Sequence, residues 1–281
     1  MTGRIKWTEK KIENMVASGH GRGVGAEYIP WIHVRDFSSR GTSRRAPSHK
    51  TGRKHQLLSD VEFDLFLLLE WSRDFSDIRE QYPLDRDLTQ DVARTLGIKH
   101  PCYPSTHVPT VMTVDFLCTR ATTGDDEFVA FNAKRKEEAE DEDSLVKLEI
   151  QRASLELLGI PHHLVYHSDL PAQKVRNIEK IRDSLVKDGE IEPRPGYWAS
   201  MSTWMSQMLS SARSDLTLVE FCAQFDSANS APPGTGLRAA RLLMFERVLI
   251  PDLSLPNLED APLKSFSFTG SSGQLRAMGS M

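Results

Sequence analysis

The chain has 281 residues, 39% hydrophobic and 26% charged, with a net charge of −4 and three cysteines. Its length allows two separate cores, and its composition excludes a fibrous or wholly disordered chain. The scarce, scattered cysteines argue against a disulfide framework or a thiolate zinc site and fit a reducing compartment. No apolar run has transmembrane length, no signal-peptide pattern stands at the N-terminus, and the mild negative charge leaves any nucleic-acid affinity to local patches.

Residues 8–18 read as a short helix, and "GHGRGVG" at 19–25 as a flexible turn, because no apolar strand precedes it as a dinucleotide loop requires. Residues 38–55 carry Arg40, Arg44, Arg45, Lys50, Arg53 and Lys54 and no acid, among Gly, Ser and Pro. This is the composition of a flexible basic arm for a phosphate backbone, where each neutralising cation releases counterions; it also fits a solvated linker. "LLSDVEFDLFLLLEW" is a helix with Ser59 or Asp60 as its cap and Val61, Leu65, Leu68 and Leu69 at helical spacing. "DIREQYPL" is extended, and 87–97 is a helix stopped by Gly97.

"TVMTVDFLCTR" and "EFVAFNAKR" are β-branched and aromatic runs on either side of the turn-rich "ATTGDD", the pattern of a hairpin. "EEAEDED" at 137–143 reads as a solvated helix start, its acids complementing the dipole of the helix "SLVKLEIQRASLELLG", for which Ser144 is the expected cap. "IPHHLVYH" is a further strand on which His163 and His167 would share a face, with no third ligand to make a zinc site. This order predicts an α/β layer structure with a mixed sheet.

A second domain is expected from residue 169, after the polar join "HSDLPAQK". Helices are predicted over 174–187, 197–213 and 216–226 and in "TGLRAARLLMFERVL", followed by the extended "LIPDLSLPNL". That succession fits a winged-helix-like module presenting Arg238, Arg241 and Arg247 to DNA; surface arginines between core leucines fit equally. The glycine-rich tail "SFSFTGSSGQLRAMGSM" is expected to be disordered alone and ordered by a partner.

Candidate chemistry gathers on the hairpin. Alternation puts Asn132 and Lys134 on one face of the second strand, and Asp115 interrupts the apolar first strand, where a carboxylate is costly unless paired or bound to a cation. With Glu62 beside an apolar helix stripe, the oxygens of these residues suggest a site for Mg2+, which keeps several waters and so admits phosphate oxygens, and Lys134 beside it could orient a water or offset negative charge. Each has a bland alternative: a solvated helix acid, an exposed strand acid, a lysine guarding a sheet edge.

Four blocks, "YIPWIHVRDFSSRG", "HQLLSDVEFDLFLLLEWSRDFSDIREQYPL", "GIKHPCYPSTHVPTVMTVDFLCTR" and "LVKLEIQRASLELLGIPHHLVYHSDLPAQKVRNIEKIR", resemble the TnsA transposon endonucleases and cover most of residues 28–182. The resemblance implies a restriction-endonuclease-like catalytic domain over 1–168, with the basic arm 38–55, and a mostly helical winged-helix-like domain over 169–281. It implies a Mg2+-dependent enzyme, with Mn2+ as substitute, that cleaves 5′ ends at transposon termini in the bacterial cytoplasm, on nucleoid DNA. An RNase-H-fold partner transposase would cut the 3′ ends, and an ATPase regulator would dock through the C-terminal domain or tail. Glu62, Asp115 and Lys134 match the family's catalytic residues, and Glu149 matches an acid with a supporting or second-metal role. Asn132 stands where a relative has glutamine and other nucleases of the fold have glutamate, so its grip on metal is open. A stand-alone restriction-like nuclease, or a DNA-binding adaptor with a decayed site that recruits the ATPase, are the alternative readings.

Overall fold

The computed structural model describes residues 6–34, 43–104, 106–187, 189–210 and 215–269. The chain divides into two units, Met1–Leu170 and Pro171–Met281, each with its own buried core. The first unit opens with helix α1 (Glu9–Ala17), capped by the Thr8 side chain, which accepts from the Lys11 N–H at 3.2 Å. Trp7 stacks on Tyr103 at 4.4 Å between ring centroids and packs with Ile12, Trp31 and Val111. Next come the antiparallel hairpin of β1 (Arg44–Pro47) and β2 (Lys54–Leu57) and then helix α2 (Asp60–Trp71). Of the two candidate caps, Ser59 takes the role, accepting from the Glu62 N–H at 3.1 Å.

A mixed sheet follows, as the sequence pattern predicts; it has four strands in the spatial order β3 (Phe75–Pro83), β4 (Thr113–Arg120), β5 (Phe128–Lys134) and β6 (His162–Tyr166). Helix α3 (Arg86–Thr95) links β3 to β4; the short α4 (Lys136–Ala139) and the long α5 (Glu142–Leu157) link β5 to β6. β3–β4 and β4–β5 are antiparallel and β5–β6 is parallel. A parallel pair needs a crossover, and α5 supplies it. Leu155 of α5 joins Leu117, Ala130, Val114 and Leu84 in one core cluster, while Ile150 packs with Val92 and Ala93 of α3.

Several expectations need correction. The part of the basic segment that is described is the β1–β2 hairpin rather than an arm, and Lys50 and Arg53 have intramolecular partners detailed below. Arg40 lies outside the described residues. The cap of α5 is Asp141, accepting from the Ser144 N–H at 3.1 Å, so Ser144 is inside the helix. "GHGRGVG" is a built turn: Gly21 donates to Ile29 O at 2.7 Å and Ile29 to Arg22 O at 3.1 Å. Gly21 has φ 77°, and a Cβ there would lie 2.2 Å from Pro83 Cγ, so only glycine fits against the end of β3. His167 lies past β6 in a 3-10 turn and meets Asp64 Oδ2 at 3.2 Å instead of sharing a strand face with His163.

The second unit contains α6 (Ala172–Arg182), α7 (Tyr197–Leu209), α8 (Leu218–Ala228) and α9 (Thr235–Phe245), then the antiparallel pair β7 (Leu249–Pro251) and β8 (Phe266–Phe268). Buried Met201, Met205, Phe221, Phe225, Leu243 and Met244 form its interior. Asp226 receives the N–H groups of Gly234 at 2.8 Å and Gly236 at 2.6 Å, tying α8 to the start of α9. The first residues of the expected tail are thus strand β8; 270–281 lie outside the described residues. Among the described residues no helix is long and apolar enough to cross a membrane.

Candidate active site

Glu62 sits on the first turn of α2 because Ser59 starts the helix there, which aims its carboxylate back at the helix N-terminus. Its Oε2 accepts from Leu58 N–H at 2.9 Å and from the Gln81 carboxamide at 3.2 Å; its Oε1 accepts from the Ser59 hydroxyl at 3.1 Å. Register places Asp115 beside Asn132, one step from the Phe116–Phe131 pair, and Asp115 Oδ2 accepts from the Ala133 N–H at 2.8 Å. Both acids are nearly enclosed, Glu62 6% and Asp115 9% exposed.

Enclosure sets the electrostatics. Burial, then the charge of Asp115, push the Glu62 carboxyl up to about 8, against the Leu58 N–H, the Ser59 hydroxyl and the Lys134 charge. Burial likewise raises the Asp115 carboxyl, opposed by Lys134 and the Ala133 N–H, while the charge of Glu138 adds to the rise. Lys134, half-buried at the end of β5 opposite Tyr166, therefore acts on both carboxylates. Two buried acids, each penalised when ionised, form a donor set that a hard cation would relieve. Among the described residues no group of three or more His, Cys, Asp or Glu side chains is gathered closely enough to hold a metal. A cation held by this pair would take few protein oxygens and would need water to complete its shell, as Mg2+ commonly does.

The structure brings Glu62, Asp115, Asn132 and Lys134 together. Asn132 is 3% exposed, and its amide is engaged inside the protein: Oδ1 accepts from the Asp115 N–H at 3.4 Å and Nδ2 donates to Gln151 Oε1 at 2.8 Å. Glu149 is placed apart. It accepts two bonds from Arg152 at 2.8 and 2.9 Å, which hold its carboxyl below the usual range, and Glu138 is the outer acid whose charge reaches Asp115.

Sequence reasoning missed Gln81, Gln151 and Glu138. Gln151 had a signal: it lies at helical spacing from Leu148, Ser154 and Leu155 on the buried stripe of α5, where a long polar side chain requires partners. Gln81 had none, because its left-handed backbone (φ 48°) inside a paired strand is invisible in the sequence.

The expected DNA-contacting cations fare unevenly. Arg53 is turned inward: its side chain, 9% exposed, donates to both Glu80 oxygens at 2.8 and 2.5 Å, to Gly25 O at 3.0 Å and to Ile78 O at 2.9 Å. Lys50 Nζ donates to Ser72 O at 2.8 Å and Phe75 O at 2.5 Å, which similarly ties it to the end of α2. Arg44 lies over the Phe63 ring at 4.4 Å; Arg44, Arg45 and Lys54 keep exposed positions on the hairpin. In the second unit Arg238 is bidentate to Glu190 at 2.6 and 2.8 Å and stacks 4.0 Å from the Trp198 ring centroid, and Arg241 is paired with Glu259.

Comparison with known proteins agrees with the resemblance. Residues 72–167 match the family model described as TnsA-like endonuclease N terminal, and residues 169–253 match TnsA endonuclease C terminal. The chain is 34% identical over 239 residues to the transposon Tn7 transposition protein TnsA of Escherichia coli, covering 84% of each chain. The chain belongs to the TnsA family of transposon endonucleases.

Proposed function

We propose that this protein is a metal-dependent DNA endonuclease that cleaves the 5′ ends at transposon termini. The observation that carries the reading is the buried Glu62–Asp115 pair with Lys134 acting on both, in a chain whose family is named for endonuclease activity. In this reading the first unit is restriction-endonuclease-like, the second is winged-helix-like, and the protein works on bacterial nucleoid DNA. A partner transposase cuts the opposite strand, and an ATPase regulator docks through the second unit or its tail.

Glu62 and Asp115 would hold Mg2+ or Mn2+ through carboxylate oxygens. The bound ion supplies Lewis acidity toward a phosphate oxygen and a lowered pKa for its water. The chain's own residues do the rest. Ser59, Leu58 and Gln81 orient Glu62, and Ala133 orients Asp115. The Lys134 ammonium offsets negative charge growing on the phosphate as the water oxygen bonds to phosphorus and the bond to the leaving ester oxygen breaks.

Replacing Asp115 with alanine tests the reading. The variant is expected to assemble with the partner transposase on transposon ends and to lose Mg2+-dependent 5′ cleavage by at least about a hundredfold, with 3′ cleavage retained. Unchanged 5′ cleavage would sink it. Efficient specific cutting by the wild-type chain without a partner would point to a stand-alone nuclease.

A further inference from the structure

Asn132 and Gln151 form a short polar chain whose two ends are backbone groups of the same strand. At one end Gln151 Nε2 donates to Thr113 O at 2.8 Å; in the middle Asn132 Nδ2 donates to Gln151 Oε1 at 2.8 Å; at the other end the Asp115 N–H donates to Asn132 Oδ1 at 3.4 Å. A carbonyl can only accept and an N–H can only donate. The carbonyl of Thr113 therefore fixes which end of the Gln151 amide faces it. That choice fixes the orientation of Asn132, whose oxygen is turned to the Asp115 N–H. Asn132 and Gln151 are 3% and 6% exposed, so water offers neither amide an easy alternative partner. The chain also reaches Glu62: the Thr113 hydroxyl donates to Gln81 Oε1 at 3.4 Å, and Gln81 Nε2 donates to Glu62. Through Thr113 these bonds touch α2, β3, β4, β5 and α5, with the Glu62 carboxylate at one end and the backbone N–H of Asp115 at the other.

We propose that Gln151 is a positioning residue of the cleavage site: acting through Asn132, it fixes the β4 backbone that carries Asp115. Asparagine at 132 serves this relay, its short amide completed by a long one from α5. Asn132 thereby contributes to metal binding by placing Asp115, with its own oxygen turned to the strand. This inference rests on the reading of Glu62 and Asp115 as the metal-holding pair.

The test is a double-mutant cycle with Gln151→Met, which keeps the side-chain length, and Asn132→Ala. Three readouts are taken in protein melting above the assay temperature: Mn2+ affinity by titration calorimetry, and kcat and KM for 5′ cleavage by the reconstituted transposase. Gln151→Met is expected to weaken Mn2+ binding and lower kcat, each about tenfold, with KM for DNA unchanged. In the Asn132→Ala background the same change should add less than about twofold, because the relay is already broken. Wild-type Mn2+ affinity and kcat in a folded Gln151→Met protein would overturn the proposal, as would losses that multiply in the double variant. A further check uses wild-type protein alone: the Asn132 side-chain NH2 protons should exchange slowly and show contacts to Gln151 by NMR. Rapidly exchanging, freely rotating NH2 protons would also overturn it. Loss of cleavage in Asp115→Ala with no effect of Gln151→Met would remove this inference and leave the endonuclease reading intact.

Discussion

Glu62 is the residue at which burial and function conflict most directly. Its ordinary value is 4.5 and enclosure with Asp115 lifts it to about 8. Between those values the folded, metal-free protein keeps a proton that the unfolded chain has released, so raising pH weakens the fold. The stability carried by protonated Glu62 is complete below about 4.5 and lost as pH rises through about 8. Glu62→Gln should remove this dependence. Its amide oxygen can take the Leu58 and Gln81 donors while its NH2 faces the Ser59 oxygen, so the local bonds survive. In metal-free protein at pH 8.5 the variant should melt higher than wild type, by roughly 2–4 °C per kcal/mol recovered, with no gain at pH 5. Thermal melts at the two pH values check this; a gain of equal size at both would mean that the carboxyl is not held protonated. The site was legible where a charge broke an apolar pattern, as at Asp115, or flanked one, as at Glu62. The amide chain through Gln81 and Gln151 was not, since it depends on which strands lie side by side and on one left-handed backbone angle.

At the scale of elements, the hairpin β1–β2 is fastened to β3 by a buried ionic cluster. Glu80 meets Arg53 through both oxygens, has His55 Nδ1 at 2.8 Å, and accepts the Gln56 N–H at 3.0 Å. Burial alone would raise the Glu80 carboxyl, but the charge and contact of His55 and then Arg53 outweigh it and hold it at about 2. Stability from this group is therefore present above its ordinary 4.5 and lost as pH falls toward about 2. Removing Arg53 leaves the buried Glu80 charge only His55 and the Gln56 N–H, so Arg53→Ala should lower unfolding free energy by about 3 kcal/mol, read from the urea midpoint at constant m-value. A DNA-contacting arginine would behave otherwise: its loss would leave the midpoint nearly fixed and reduce the salt slope of DNA binding by about one. Helix α2 and the strands β3 to β6 follow from hydrophobic period and were readable in advance, whereas the polar, cation-rich hairpin β1–β2 carries no such period and reads as a loop. The partner of Arg53 lies far along the chain, and a run of cations without acids gives no sign that one of them is folded inward.

For the whole molecule, each unit has its own buried core, and the candidate metal-holding acids belong to the first alone. A ligand that binds only folded protein stabilises what it binds by RT ln(1 + [L]/Kd), about 2.7 kcal/mol at a hundred times Kd. Calorimetry of the full chain should then resolve two transitions, and saturating Mn2+ should raise one of them while the other stays within about 1 °C. Asp115→Ala should abolish the shift in the responsive transition. Arg53→Ala should lower the same transition, since Arg53 and Asp115 lie in the same unit, and Arg238→Ala should lower the other by freeing Glu190 and uncovering Trp198. The pattern is demanding because three substitutions and one ion must sort onto two transitions in a fixed way. Equal movement of both transitions with Mn2+ would mean that the metal is held outside the Glu62–Asp115 pair or that melting of the two cores is coupled. Asp115→Ala separates these outcomes: a Mn2+ shift that survives it places the metal elsewhere, whereas a shift that vanishes keeps the metal on the acid pair and assigns the joint movement to cooperative melting.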